Sequence, residues 1–283
     1  MNEFRADLHC HTTCSDGTTT PQDIVQMACN IGLQGLSITD HDTIEAYREA
    51  LPAALAMNLP LISGVEFSAM HRQTSVHILA YCFSLSSPII LELCQRHYQR
   101  RELRNHLILE RLAAHGMPLS PEDFPDNLFS VQSHHHPIGR PHIALAMVKK
   151  GYVSSIQQAF QDYIGEGKPC YVSGEAFSVE ETLDLIHKAR GLAMIAHPHL
   201  IENVSILRDL LSMNFDGIEG YYGRFPRHVQ ERWIKIGIHK GWIITGGSDF
   251  HGDIKPSLPL GSSWVNEETF NILQQHFKRN QES

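Results

Sequence analysis

Five short clusters of histidine and carboxylate residues, each directly after a strand-like apolar run, constrain this chain more than any other feature. They are Asp7-Leu8-His9-Cys10-His11, Thr39-Asp40-His41-Asp42, Gly64-Val65-Glu66, Ala196-His197-Pro198 and Ser248-Asp249-Phe250-His251. Apolar runs at 36–39, 59–65, 76–82, 192–196 and 242–245 alternate with helix-like segments, a β/α rhythm. In a barrel of parallel strands the loops at the C-terminal rim converge, so clusters distant in sequence are expected to share one rim.

Helix punctuation supports the rhythm. Thr20 is a candidate N-cap with Pro21 at the first helical position and Gly32 past the end. Ser178 and Glu181 form a capping box, and Gly191 is expected to close that helix as its C′ residue. From 88 to 171 the rhythm breaks into a long Arg- and Leu-containing helix, a Pro-rich loop and more helix, so 88–171 reads as a helical insertion between 1–87 and 172–283.

A chain of 283 residues, 42% hydrophobic, has material for one large core with an inserted subdomain. Its formal charge of −8 excludes a broad basic face for coating long nucleic acid, while leaving room for a short phosphorylated substrate. The six cysteines lack paired spacings and read as reduced thiols. The N-terminus lacks a basic segment followed by an apolar one, and no run approaches the roughly 18 apolar residues of a membrane span, so a soluble cytoplasmic protein with no membrane association is expected. No obligate protein partner is evident. The 19 histidines, many beside aspartates, are the unusual count, and they point to a site.

His9 and His11, two apart at a strand end, direct both imidazoles to one side and can chelate one ion; with carboxylates they suit zinc, manganese or iron. Paired ions need a bridging carboxylate, for which Glu66 is the candidate. Asp7, Asp40 and Asp42 adjoin candidate ligands and are expected to orient them by accepting ring N–H groups. Arg96, Arg100 and Arg104 share one helical stripe with Arg101 beside it, and Arg140 follows a Pro-Ile-Gly turn; Glu92, Glu102 and Glu110 could equally pair with the helical arginines. His134-His135-His136 reads as a surface loop, and the Gly165-Glu166-Gly167-Lys168 turn lacks phosphate-loop spacing. Tyr221, Tyr222 and Arg224 could stack on a base, although packing is the commoner role for aromatics so placed.

Together these motifs, with Asp16-Gly17, Ile38-Thr39, Phe67-Ser68, the His77 strand and Gly247, resemble the PHP (polymerase and histidinol phosphatase) superfamily, and within it the branch of RNase AM and 3′,5′-nucleoside bisphosphate phosphatases. The resemblance implies a distorted (β/α)7-type barrel with a small helical insertion and a cluster of three divalent ions, manganese before iron or zinc. It implies His9, His11, Glu66 and Asp249 around one ion, Asp16, His41 and His251 around a second, and Glu66, His77 and His197 around a third. Glu66, Asp249 and His197 are the residues implied at the reacting centre, and Arg101, Arg104 and Arg140 resemble the substrate-phosphate positions. The implied reaction is hydrolysis, by metal-activated water, of the 3′-phosphate of 3′,5′-nucleoside bisphosphates, or 5′-to-3′ trimming of short 5′-phosphorylated RNA. A histidinol-phosphate-type phosphatase is the alternative within the same chemistry, and a non-catalytic metal-binding accessory module is the alternative outside it.

Overall fold

The computed structural model of the protein describes residues 3–124, 138–172 and 177–281; the His134-His135-His136 run lies outside the described residues. In chain order the elements are β1 (Ala6–Asp7), α1 (Pro21–Asn30), β2 (Gly35–Leu36), α2 (Tyr47–Ala56), β3 (Gly64–His71) and β4 (Thr74–Tyr81). They continue with α3 (Pro88–Ala114), α4 (Arg140–Lys149), α5 (Ile156–Ala159), α6 (Val179–Lys188), β5 (Leu192–Ile195), α7 (Val204–Ser212), β6 (Gly217–Tyr222), α8 (Arg227–Lys240), β7 (Ile243–Gly247) and α9 (Glu267–Gln281). The fold is mixed α/β, and it divides into two compact units, Met1–Cys94 with Phe177–Ser283, and Gln95–Ala176. Among the described residues no helix is long and apolar enough to cross a membrane.

In the larger unit β1 and β2 pair in parallel, and the remaining strands form a five-stranded sheet in the order β3-β4-β5-β6-β7. Two departures from the sequence expectation stand out. The ladders are these two sheets and not one closed seven-stranded barrel, because β1 and β2 stop after two residues each, where the chain leaves for the polar loops that carry His9, His11 and His41. The strands are also not all parallel, since β4 runs antiparallel to both β3 and β5. Its reversal comes from a two-residue turn at Arg72 and Gln73, whose φ values of 45° and 66° lie in the left-handed region that a tight hairpin turn uses to match the right-handed twist of its strands. The reversal serves the rim: His77 lies near the start of β4, opposite Ser68 of β3 and on the same face as Glu66, so it meets the ends of the other strands.

Backbone hydrogen bonds tie the short strands to their neighbours. Leu8 N donates to Gly246 O (3.2 Å), Ser37 N to Asp7 O (3.0 Å) and Ile62 N to Leu36 O (3.0 Å). Gly247 makes the first approach possible, because a Cβ there would lie 2.3 Å from His9 N and 2.4 Å from His9 Cβ.

The helices cover this framework through the apolar faces their sequences encode. α6 buries Val179, Thr182, Leu183 and Ile186, at the spacing of one helical face, and Ser178 Oγ caps it by accepting from Glu181 N at 3.0 Å. α1 is capped in the same way by Thr20 and buries Pro21, Ile24, Val25 and Ala28. At the end of α6 the left-handed residue is Arg190 (φ 59°) and not Gly191; Gly191 N returns to Ile186 O at 2.9 Å, one step later in the same turn. The smaller unit has a core of its own, in which Ile108 and Leu112 of α3 pack with Ile143 and Met147 of α4, and with Ala159, Ile164 and Cys170.

Candidate metal centre

The rim of the larger unit gathers Glu66 and the nitrogens of five histidines. Oε2 of Glu66 lies 3.3 Å from His9 Nε2, 3.2 Å from His11 Nε2 and 3.3 Å from His41 Nδ1, and Oε1 lies 2.9 Å from both His77 Nδ1 and His197 Nε2. Asp249 Oδ1 stands 3.5 Å from His9 Nε2 and 3.3 Å from His11 Nε2, and the two imidazole nitrogens are 3.2 Å apart. A second group forms around Asp16, which is 3.3 Å from His251 Nε2, 3.8 Å from His41 Nε2 and 3.7 Å from His11 Nδ1.

The chemistry of this donor set asks for cations. His9 Nδ1 donates to Glu219 Oε1 at 2.8 Å, so in the neutral ring the Nε2 lone pair faces Glu66, Asp249 and the Nε2 of His11. His251 does the same: its Nδ1 donates to the Asp249 carbonyl at 2.8 Å and its Nε2 lone pair faces Asp16. Lone pairs converging in a dry site repel one another unless a proton or a metal ion sits between them. For tetrahedral ligands about 2.0–2.1 Å from an ion, the ligand-to-ligand edge is about 3.3–3.4 Å. The edges among His9, His11 and Glu66 are 3.2–3.3 Å, and Asp249 lies 3.3–3.5 Å from the two imidazole nitrogens. The residues present therefore fit a divalent ion. Among the described residues three sets have ligand atoms that lie together: His9, His11 and Glu66; His11, Asp16, His41 and His251; and His41, Glu66 and His77.

Electrostatics follow from this crowding. Burial alone would raise the Glu66 and Asp16 carboxyls, yet the surrounding imidazoles hold both well below the usual range. Burial opposes charge on His11, but hydrogen bonds to Asp249 and Glu66 outweigh it and lift the ring to about 9. His41 is dominated by burial and falls to about 3. The backbone is strained at the same place, with positive φ at His197 (23°), Asp249 (54°) and Asp42 (59°). Each costs roughly 1–3 kcal/mol and is held by the surrounding fold. His9 and His11 are fully buried, while the side chain of His77 is 28% exposed, so the cluster opens to solvent on the His77 side.

The three aspartates expected to take ring N–H groups hold the loops of the rim. Asp7 accepts from the amides of His9 (3.2 Å), Ser248 (3.0 Å) and Gly261 (2.8 Å). Asp40 accepts from Thr12 N, Thr12 Oγ1 and Ser15 Oγ, at 2.7, 2.6 and 2.5 Å, and so shapes the loop that carries Asp16. Asp42 accepts from Ser68 N and Oγ, at 2.7 and 3.0 Å. The ring of His9 is oriented by Glu219, which the sequence reading passed over although it ends a strand-like Gly-Ile-Glu run just as Glu66 ends Gly-Val-Glu. Glu219 Oε2 also accepts from His197 N at 2.7 Å, so one fully buried carboxylate sets two members of the cluster. Tyr222, read as a packing or base-stacking aromatic, donates to Asp249 Oδ2 at 2.8 Å, and Lys255, not singled out from sequence, donates to the same oxygen at 2.8 Å.

In the smaller unit Arg101 and Arg104 are buried, and Arg104 donates to its neighbour Asn105 Oδ1 at 3.0 Å. Arg140 begins α4 with its guanidinium 5.3 Å from the Tyr171 ring centroid and 6.0 Å from that of Phe160.

Removing the orienting carboxylate is expected to have a measurable effect. Glu219→Gln keeps the shape but weakens the acceptor for His9 Nδ1–H, and metal affinity or activity is expected to drop roughly 10–100-fold. Titration of the metal-free variant with Mn²⁺ checks this, and wild-type affinity would show that the contact is idle.

Known proteins bear on the chain as a whole. A family model described as the PHP domain matches residues 7–189. A protein of Haemophilus influenzae named 5′-3′ exoribonuclease is 34% identical over 254 residues, 87% of this chain and 89% of that protein. A 3′,5′-nucleoside bisphosphate phosphatase of Chromobacterium violaceum is 29% identical over 253 residues, 87% and 86% of the two chains. The crystal structure of a protein from Bifidobacterium adolescentis, described as a metal-dependent phosphoesterase, superposes with a TM-score of 0.84 at 30% identity over 96% of each chain. The matched segment carries His9, His11, Asp16, His41, Glu66 and His77, six of the groups that converge on the rim, and the chain belongs to the PHP domain family.

Proposed function

We propose that the protein is a metal-dependent phosphoesterase that removes the 3′-phosphate of 3′,5′-nucleoside bisphosphates and trims short 5′-phosphorylated RNA from its 5′ end. The observation that carries the reading is the convergence of five imidazole nitrogens on the carboxylate of Glu66, at 2.9–3.3 Å. Both activities break the phosphoester bond on the 3′ side of a nucleotide whose 5′ side carries another phosphate. They agree with the names of the two relatives, an exoribonuclease and a bisphosphate phosphatase.

In this reading His9, His11, Glu66 and Asp249 hold one ion, Asp16, His41 and His251 a second, and Glu66, His77 and His197 a third, with manganese ahead of iron or zinc. Such ions, when bound, lower the pKa of water toward neutrality and neutralise phosphate oxygens. The chain's own part is to fix the ligands: Glu219 sets the His9 ring and the His197 backbone, and Tyr222 and Lys255 fix Asp249. Asp40 shapes the Asp16 loop through Thr12 and Ser15. The links Leu8 to Gly246 and Ile62 to Leu36 support a barrel-like ring of seven strands behind the site. Residues 88–171 are the insertion that supplies Arg101, Arg104 and Arg140 to the substrate's 5′-phosphate. The planar fork of arginine suits that partner.

Phosphate release with Mn²⁺ tests the reading on four substrates: adenosine 3′,5′-bisphosphate, adenosine 3′-monophosphate, histidinol phosphate and a short 5′-phosphorylated RNA. Preference for the bisphosphate and the RNA is expected. Preference for histidinol phosphate would keep the metal site and remove the nucleotide assignment. Arg140→Ala is expected to lower kcat/KM for the bisphosphate by roughly 10–100-fold, the worth of one charged hydrogen bond, and to leave a generic aryl phosphate nearly unchanged. Equal losses on both substrates would remove Arg140 from the 5′-phosphate.

A further inference from the structure

Asp249 is held at Oδ2 by two donors, the Tyr222 hydroxyl and the Lys255 ammonium, each at 2.8 Å. Oδ1 is thereby left for the histidine side, 3.5 Å from His9, 3.3 Å from His11 and 3.4 Å from His251. A neutral, buried hydroxyl already suffices to orient the carboxylate, so the cation needs a separate reason. Lys255 differs from Tyr222 in two respects. Its side chain is 38% exposed, whereas Tyr222 is buried, and an ammonium carries three N–H donors, of which Asp249 takes one. Asp249 is its one hydrogen-bond partner among the described residues.

The backbone that presents Lys255 is fixed against the same rim. Lys255 follows the short turn Gly252–Ile254, where Asp253 N donates to Thr18 Oγ1 at 2.9 Å and Lys255 N to Gly252 O at 3.2 Å. Four carboxylates, Asp16, Glu66, Glu219 and Asp249, stand in this cluster, in a chain of net charge −8. Lys255 pairs with one of the four, its ammonium 2.8 Å from Asp249 Oδ2. A phosphate ester brings further negative charge to this place, and a fixed ammonium with spare donors, one carboxylate's width from Oδ1, is suited to receive it.

We propose that Lys255 is a further catalytic residue, one that donates hydrogen bonds to the oxygens of the reacting phosphate while its third N–H holds Asp249. It donates hydrogen bonds and gives up no proton. The assignment rests on the phosphoesterase reading above, but its binding test does not require turnover.

The experiment compares wild type, Lys255→Gln, Lys255→Arg and Tyr222→Phe, each saturated with Mn²⁺ and checked for metal content and Tm. The readouts are the affinity for inorganic phosphate and kcat/KM for adenosine 3′,5′-bisphosphate. Lys255→Gln retains a donor for Asp249 but no charge. It is expected to keep its metal, weaken phosphate binding about 10-fold or more, and lower kcat/KM roughly 10²–10³-fold. Lys255→Arg is expected to regain most of the phosphate affinity, and Tyr222→Phe to weaken metal binding without changing phosphate affinity once loaded. Wild-type phosphate affinity in metal-loaded Lys255→Gln, or identical behaviour of Lys255→Gln and Tyr222→Phe, would overturn the proposal and leave Lys255 as a positioning residue for Asp249. A metal-loaded wild type that binds phosphate through Lys255 but hydrolyses no phosphoester would instead remove the phosphoesterase reading.

Discussion

Glu66→Ala is expected to abolish turnover, by at least about 10³-fold, together with part of the bound metal. The size follows from the crowding: five histidine nitrogens lie within 3.3 Å of this one carboxylate, and its two oxygens face different groups of them. Loss of a ligand shared between ions removes several kcal/mol of charge stabilisation at the reacting phosphate, and each 1.36 kcal/mol is about tenfold in rate. Glu66→Gln separates charge from shape, since the amide fills the same volume but offers one neutral acceptor oxygen. It is expected to fold, as judged by Tm, and to remain nearly as inactive as the alanine variant. Near-normal activity in either variant would end the multi-ion account.

The second large effect is on stability without metal. Without metal, hydrogen bonds to Asp249 and Glu66 hold His11 up at about 9, against burial and above its unfolded value of about 6.5. A raised folded-state pKa stabilises fully below about pH 6.5, and that stability is lost as pH rises through about 9. Asp16, Glu66 and Asp249 are held well below the ordinary carboxylate range, so their contribution is present above about pH 4 and is lost as pH falls further. His41, which burial holds at about 3, costs stability as pH falls below about 6.5, so metal-free protein is expected to be most stable near pH 6.5 and to lose Tm toward pH 9. Mn²⁺ replaces the protons, so the alkaline loss should vanish on adding it, with a gain of about 2.7 kcal/mol at a hundredfold excess over Kd. A Tm that is flat from pH 6.5 to 9 without metal would show that the imidazole cluster does not hold protons in place of ions.

Much of this site was legible because its residues advertise themselves locally. His9, His11, His41, Glu66, His197, Asp249 and His251 each end an apolar run, and a run with a polar end is readable from a few residues. The caps at Thr20 and Ser178 were legible for the same reason. What escaped depends on partners far away in the chain. Glu219 meets His9 across 210 residues, and no histidine beside it marks it as part of a site. Lys255 acquires its meaning only when Asp249 Oδ2 is found beside it. Asp7 and Asp40 sit within two residues of histidines in sequence, yet their carboxylates accept from amides of distant loops. The β3-β4 hairpin was hidden because its turn uses Arg72 and Gln73 at positive φ, where an Asn-Gly pair would have announced it. The division of the ladders into a two-stranded and a five-stranded sheet was hidden for a related reason: periodicity reports that a strand exists, and it does not report where the strand stops pairing.

The central claim is a cluster of divalent ions held by these residues, and bound-metal stoichiometry of the purified chain tests it most directly. Metal analysis after loading with Mn²⁺ and removal of free ion is expected to find close to three ions per chain in wild type, with fewer in Glu66→Ala. Less than one ion per chain in a folded protein that still hydrolyses phosphoesters after chelation would contradict the account.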